Sequence, residues 1–407
     1  MGGTPTDLPE GDPFGPENLP YGLCTTAEQP DRPHIVVRYG DFVLDAGAAA
    51  EAFGSSHATL LQQPLLNPLM SQGRPVWQAV RAELRAWLTS PAHRATAERF
   101  LRPLSEVTMR LPFEVADYVD FYASEHHATN LGRIFRPDSA ALTPNWKHLP
   151  IGYHGRAGTV VVSGTPVIRP QGQLKAPHEE VPQFGPSRRL DIEAEVGFVV
   201  GAPSVLGTPV PLSGFREHVF GVTLLNDWSA RDIQGWENVP LGPFLGKSFA
   251  TSVSAWVTPL EALDAARTAP PAREFPLLPY LDDAAAEEPG GFDLRISVAV
   301  NGERVSEPPF SGMYWTAAQM LAHMTVNGAS LRTGDLFGSG TVSGPAPDQR
   351  GSLLELTWNG TEPLDLPQGK RTFLEDGDEV TLTAWAPGPD GTRVGLGDVA
   401  GRIVPAP

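Results

Sequence analysis

A single cysteine in 407 residues, Cys24, excludes an internal disulfide and any paired CxxC zinc site. No apolar run reaches the length of a membrane span, and no basic and apolar leader opens the chain. Lys and Arg form no block: 30 of them face 47 Asp and Glu, for a formal charge of −17. These absences argue against nucleic acid and membrane as partners and predict a cytoplasmic protein. There is no GxSxG elbow, which removes the commonest serine-hydrolase arrangement. Gly242-Pro-Phe-Leu-Gly246-Lys247-Ser248 has three residues between its glycines where a phosphate loop needs four, and Gly395 to Gly401 lacks the dinucleotide-binding spacing.

What the chain has in excess is Gly and Pro, 42 of each. Together they make up about 21% of the chain, against roughly 12% in average usage. With 41% apolar residues beside them, they predict turn-rich β structure and not disorder. The length predicts two domains. His34 to Tyr39 and Phe42 to Leu44 flank Gly40-Asp41 as a hairpin. Val76, Val80, Leu84 and Leu88 recur at four-residue spacing after Pro75, predicting an amphipathic helix that stops near Pro91. A second helix is expected over 92–101, and a domain boundary follows, giving 1–112 and 113–407. Beyond it, strands are predicted at 158–162, 195–200, 294–300, 353–358 and 379–385, with one clear helix over 315–325 ended by Asn327-Gly328. The acid-, Ala- and Pro-rich stretch 264–290 reads as a surface excursion. Asn359-Gly-Thr361 reads as a turn.

The chemistry resides in acids drawn from apolar contexts. On a strand, Glu193 and Glu195 share one face and could share an ion, although a solvated strand face has the same spacing. Asp227 ends an apolar run, where capping the next helix is the competing role. Asp120 is embedded among aromatics, where a lone carboxylate is costly. With no cysteine nearby, such a set suits a hard cation, Mg²⁺ or Ca²⁺. His127 follows seven residues after Asp120; if that segment is extended, His126 and His127 face opposite ways. Glu355 lies between buried-type residues and could orient a histidine, or could be an exposed position of an edge strand. Lys247, in an apolar Gly-rich stretch, would need a carboxylate if buried. The loop 338–344 offers backbone N–H groups suited to a substrate carboxylate.

The runs PFGPENLPYG (13–22), DFYASEHHATN (120–130), PNWKHLPIGYHGRAGTVVVSGTP (144–166), LDIEAEVGFVVG (190–201), LLNDWSARDIQGWENVPLGPFLGKSFATSVSAWV (224–257), MYWT (313–316), VNGASLRTGDLFGSGTVSGP (326–345) and GSLLELTWNGTEP (351–363) resemble the fumarylacetoacetase family over nearly the whole chain. The resemblance implies a mainly β, α+β fold, with a small SH3-like N-terminal barrel with helices followed by a large β-sandwich roll, and a homodimer. It implies Asp120, Glu193, Glu195 and Asp227 as ligands of Mg²⁺ or Ca²⁺, with Lys247 and Thr251 also at cation-binding positions. It implies His127 as general base oriented by Glu355, and Arg231, Gln234 and Lys247 as stabilisers of developing charge. Tyr122, Arg136, Tyr153, Gln234, Asn238 and Thr341 fall on or near positions for a small diketo acid substrate. The implied activity is hydrolysis of a carbon–carbon bond to fumarate and acetoacetate, the last step of tyrosine and phenylalanine catabolism. Alternatives are a hydrolase or decarboxylase of an acylpyruvate-type substrate in the same superfamily, or a catalytically silent metal-binding scaffold. Two positions depart from the family pattern. Asn238 stands where a tyrosine is usual, and Glu125 where an uncharged or basic residue is usual.

Overall fold

The strands Ala194–Val200 and Val219–Asp227 are buried at every position, so the sheet they form needs cover on both faces. One face, through Val196, Phe198, Val222 and Leu224, shares a core with Ile296, Val298, Leu382 and Val399 of a second sheet. The other, through Val199, Leu225 and Leu336, packs on Trp77, Val80, Leu84 and Trp87 of the N-terminal region. The structure, a computed structural model, describes residues 8–176, 179–284 and 286–407.

The first sheet runs in the order Leu101–Pro103, Phe42–Asp45, His34–Tyr39, Tyr21–Thr26, Trp256–Pro259, Val219–Asp227, Ala194–Val200, Leu336–Gly338, Tyr118–Phe121, Gly152–His154. The second is Glu303–Ser306, Arg295–Val300, Glu379–Pro387, Arg393–Val404 and Val167–Ile168. The fold is mainly β with helices, as expected, and the sandwich is present. The N-terminal strands form no closed barrel among the described residues. Tyr21 and Gly22 pair with Val257 and Trp256, so the small sheet continues into the large one. Gly22 permits that join, because a Cβ there would lie 2.6 Å from the Trp256 ring.

The hairpin is present, with Tyr39 opposite Phe42 and Gly40 at φ +59°. The first helix spans Arg74–Thr89 with Pro75 in its first turn. The helix over Ala317–Thr325 is closed at its start by a reciprocal cap between Thr316 and Gln319. Three expectations need correction. The predicted second helix shrinks to Arg94–Ala97 and a 3₁₀ turn, because Leu101–Pro103 is drawn into pairing with Phe42–Leu44. Leu353–Leu356 is a helical turn and not a strand. Glu125–Phe135 is a helix, so His126 and His127 do not alternate as on a strand. The 264–290 excursion returns to the body of the fold: Arg273 lies over the Tyr314 and Trp315 rings, and Phe275 stacks on His148. Glu274 and Glu125 both pair with Lys147, which gives the unusual acid at 125 a partner.

Leu84 is fully buried beneath the large sheet. Leu84→Ala is expected to lower the unfolding free energy by about 2–5 kcal/mol, the usual cost of a large core truncation. Urea denaturation followed by tryptophan fluorescence measures this, and a loss under about 1 kcal/mol would contradict the packing described.

Candidate active site

Strand register brings the acids together. Asp227 ends its strand and donates its backbone N–H to the carbonyl of Glu193, 3.1 Å away. Glu195 lies opposite Leu225 on the same strand pair. Asp120 arrives from the far side of the Leu336–Gly338 strand, in register with Gly338. One carboxylate oxygen from each of Asp120, Glu193, Glu195 and Asp227 lies within 4.8 Å of the others, and all four residues are buried. Asp227 caps nothing, since the next helix starts at Arg231 behind Ala230.

Positive charge is scarce here. Lys247, itself buried, donates to Glu193 Oε2 and, at 2.7 Å, to Asp227 Oδ2. Arg231 pairs with Glu193 Oε1 at 2.8 Å and with Asp191 Oδ2 at 2.8 Å. Although burial alone would raise Glu193, the charges of Lys247, Arg231 and His127 hold it well below the ordinary carboxylate range. Asp120 and Glu195 are pushed well above it, by burial first and then by the neighbouring acids. Among the described residues, Asp120 Oδ1 and Glu195 Oε1 are buried without a hydrogen-bond partner. Two orphaned carboxylate oxygens in an all-oxygen donor set suit a hard divalent cation. Protonated Lys247 has no lone pair to give such an ion, so it serves the cluster as a counter-charge; Thr251 bonds Asp227 Oδ1 at 3.1 Å.

Beside the acids stands His127. Ser124 caps its helix, with the Oγ accepting the His127 backbone N–H. The His127 Nδ1 lies 2.6 Å from Glu355 Oε2. Glu355 is fully buried and also accepts from Ser343, Ser352 and Asn130. A carboxylate facing Nδ1 selects the tautomer protonated there, leaving Nε2 with a lone pair. That Nε2 is 4.0 Å from Glu193 Oε1.

The other expected residues are distributed unevenly. Tyr122 meets the His127 ring edge to face at 5.3 Å, and Tyr153 is the register partner of Asp120 on the neighbouring strand. Tyr153, Asp227, Phe244, Lys247 and Thr251 line a cavity of about 300 Å³. Gln234 accepts from Arg231 at 3.2 Å, and Asn238 sits at the end of the same helix, half-buried. Thr341 Oγ1 is buried and unpartnered among the described residues. Arg136 is exposed and bonds the Ala141 carbonyl, yet its charge reaches the Tyr122 hydroxyl. In the 338–344 loop, Gly340 N–H points to Glu195 and Ser343 Oγ to Glu355, so these two donors serve the protein's own acids. Asp191 was missed. Fully buried, it accepts the Leu353 and Leu354 N–H groups and Arg231 Nε, and so ties the Glu355 turn to the acid cluster. Its only sequence signal is its place two residues before Glu193.

Burial would raise Glu355, but the His127 charge and the hydrogen bonds from His127, Asn130 and Ser352 leave it below the ordinary carboxylate range. A folded-state value below the unfolded one of about 4.3 contributes stability above that pH and loses it as pH falls through the folded value. The stability gap between the native chain and Glu355→Gln is therefore expected to narrow on acidification from pH 6 toward pH 3. Urea midpoints across that range measure it, and a constant gap would contradict the assignment.

Comparison with known proteins supplies the family. The Fumarylacetoacetate (FAA) hydrolase C-terminal model matches residues 117–404, and the Fumarylacetoacetase N-terminal model matches residues 17–112. The chain is 47% identical to the fumarylacetoacetase of Homo sapiens, with 97% of this chain and 96% of that protein covered. It is 45% identical to that of Arabidopsis thaliana at the same coverage. Among solved structures, a fumarylacetoacetate hydrolase from Exiguobacterium antarcticum superposes with a TM-score of 0.54 at 16% identity, covering 95% of this chain and 99% of that one. A maleylpyruvate hydrolase from Sphingobium sp. SYK-6, solved with manganese(II) and pyruvate, gives 0.53 at 15% identity, covering 96% of this chain and all of that one. Fold, a buried acid centre and identity over nearly the full length agree: the chain belongs to the fumarylacetoacetate hydrolase family.

Proposed function

We propose that this chain hydrolyses fumarylacetoacetate to fumarate and acetoacetate, the closing step of tyrosine and phenylalanine breakdown, with Mg²⁺ or Ca²⁺ held by Asp120, Glu193, Glu195 and Asp227. The observation that carries this reading is a histidine with one nitrogen fixed by a buried carboxylate and the other facing that acid centre. A bound divalent cation supplies Lewis-acid polarisation of the substrate's dicarbonyl oxygens. His127 Nε2 takes a proton from water, and the oxygen bonds to the fumaryl carbonyl carbon. The bond from that carbon to the acetoacetyl methylene breaks, the electron pair leaves with the methylene as an enolate, and a proton returns to it. Glu355 orients the imidazole and balances its charge. In this reading Lys247, Gln234 and Arg231 stabilise the developing alkoxide and enolate charge. Tyr122, Tyr153, Thr341, Arg136 and Asn238 form the substrate's surroundings in this reading. Where the family pattern places a tyrosine, Asn238 reaches less far, and a bridging water can span the difference.

No described helix is long and apolar enough to cross a membrane, and a cytoplasmic setting goes with this metabolic role. The domain division at 112/113 belongs to the same reading, as does assembly as a homodimer. Trp236, Val239, Leu241, Phe244 and Leu245 are exposed along one segment beside the cavity; Trp236 donates to Gln173, which pairs with exposed Phe184 on the adjoining strand. Exposed apolar side chains clustered in this way suit an association surface, and a second copy is the occupant this reading assigns to it.

Loss of fumarylacetoacetate absorbance tests the proposal. Turnover is expected to vanish with EDTA and return with Mg²⁺ or Ca²⁺, and His127→Ala is expected to lose roughly 10² to 10⁴ in kcat. Metal-independent turnover, no turnover, or cleavage of an acylpyruvate in its place would overturn it.

A further inference from the structure

Asp120 and Glu195 belong to strands that are not neighbours, because Leu336–Gly338 runs between them. Their carboxylates can meet only if the intervening strand offers no side chain at that point. It offers Gly338, which is in register with Asp120 on one side and Gly197 on the other. A Cβ built there would lie 2.7 Å from Glu195 Oε2, 3.5 Å from Asp120 Oδ1 and 3.5 Å from the hydroxyl oxygen of Tyr118. Tyr118 is 1% exposed, and its hydroxyl has no hydrogen-bond partner among the described residues. Its ring cannot turn away: a Cβ on Gly155 would come within 2.3 Å of the ring, so the backbone there already lies against it, and the Gly155 N–H is bonded to the Tyr118 carbonyl. The fold therefore fixes a buried donor at a place crowded with acceptors, two of which, Asp120 Oδ1 and Glu195 Oε1, are also unpartnered.

We propose that Tyr118 is a positioning residue of the cation centre: its hydroxyl donates to an oxygen of the cation's ligand shell, across the opening that Gly338 leaves. The inference rests on the cation reading above and adds two residues that are not themselves ligands. A donor that orients ligand oxygens typically governs ten- to a hundredfold of metal affinity. The hydroxyl has no partner among the described residues, so its removal breaks no protein hydrogen bond, and this separates a positioning role from a structural one.

The test is calorimetric titration of the full-length protein with Mn²⁺ or Mg²⁺ alone, together with the melting temperature of the chelated protein. For Tyr118→Phe, the expected result is a cation-free melting temperature equal to or above that of the native chain, and cation affinity lower by about tenfold or more. Gly338→Ala is expected to lose at least as much affinity. Loss below about fivefold in Tyr118→Phe would overturn the inference and leave the cation reading standing, as would a clear drop in the cation-free melting temperature. Native affinity in Gly338→Ala would remove the role given to the opening. Absence of cation binding by the native chain would instead overturn the cation reading, and this inference with it.

Discussion

Four buried carboxylates in one place are the constraint around which the rest of the structure is arranged. Two like charges at 4.8 Å, the outer limit of separation among these four oxygens, repel by about 3 to 4 kcal/mol at an effective dielectric of 20, and four acids make six pairs at or inside that distance. Lys247 is a single compensating charge, and Arg231 is shared with Asp191. The protein therefore contains a deficit of positive charge that a divalent cation fills. Glu193, touched by Lys247 and Arg231, is held ionised, while burial and the neighbouring acids push Asp120, Glu195 and, in spite of Lys247, Asp227 toward protonation.

Fold and chemistry are linked through Asp191. Its carboxylate takes two N–H groups at the start of the Leu353–Leu356 turn and one from Arg231, which in turn holds Glu193. The acid that orients the base and the acid that anchors the cluster are thereby tied to one buried side chain. Water activation and charge stabilisation then occur at a fixed separation, which is what preorganised catalysis requires.

Much of this was legible in the sequence, for identifiable reasons. Glu193 and Glu195 lie two residues apart within an apolar run, so period-two geometry aims them together, and Lys247 in its apolar stretch called for an acid that it does have. Leu353 to Leu356 was misread because four apolar-rich residues have no period that separates strand from helical turn. The Ser352 cap and Asp191, 162 residues away from Leu353, decide it. Asp191 and Tyr118 were invisible for the same reason. Each matters through partners that only tertiary structure supplies, and neither spacing nor composition records them. The joining of the small N-terminal sheet to the large one is likewise unannounced, since nothing local in Tyr21-Gly22 records pairing with Trp256 and Val257.

The charge deficit among Asp120, Glu193, Glu195 and Asp227 makes them a cation site. Anomalous diffraction from crystals grown with Mn²⁺ tests it most directly. One strong peak is expected, enclosed by these four carboxylates and within about 2.5 Å of their oxygens, with Lys247 still paired to Asp227. A map with no peak there, or with the ion bound only at surface acids, would contradict it.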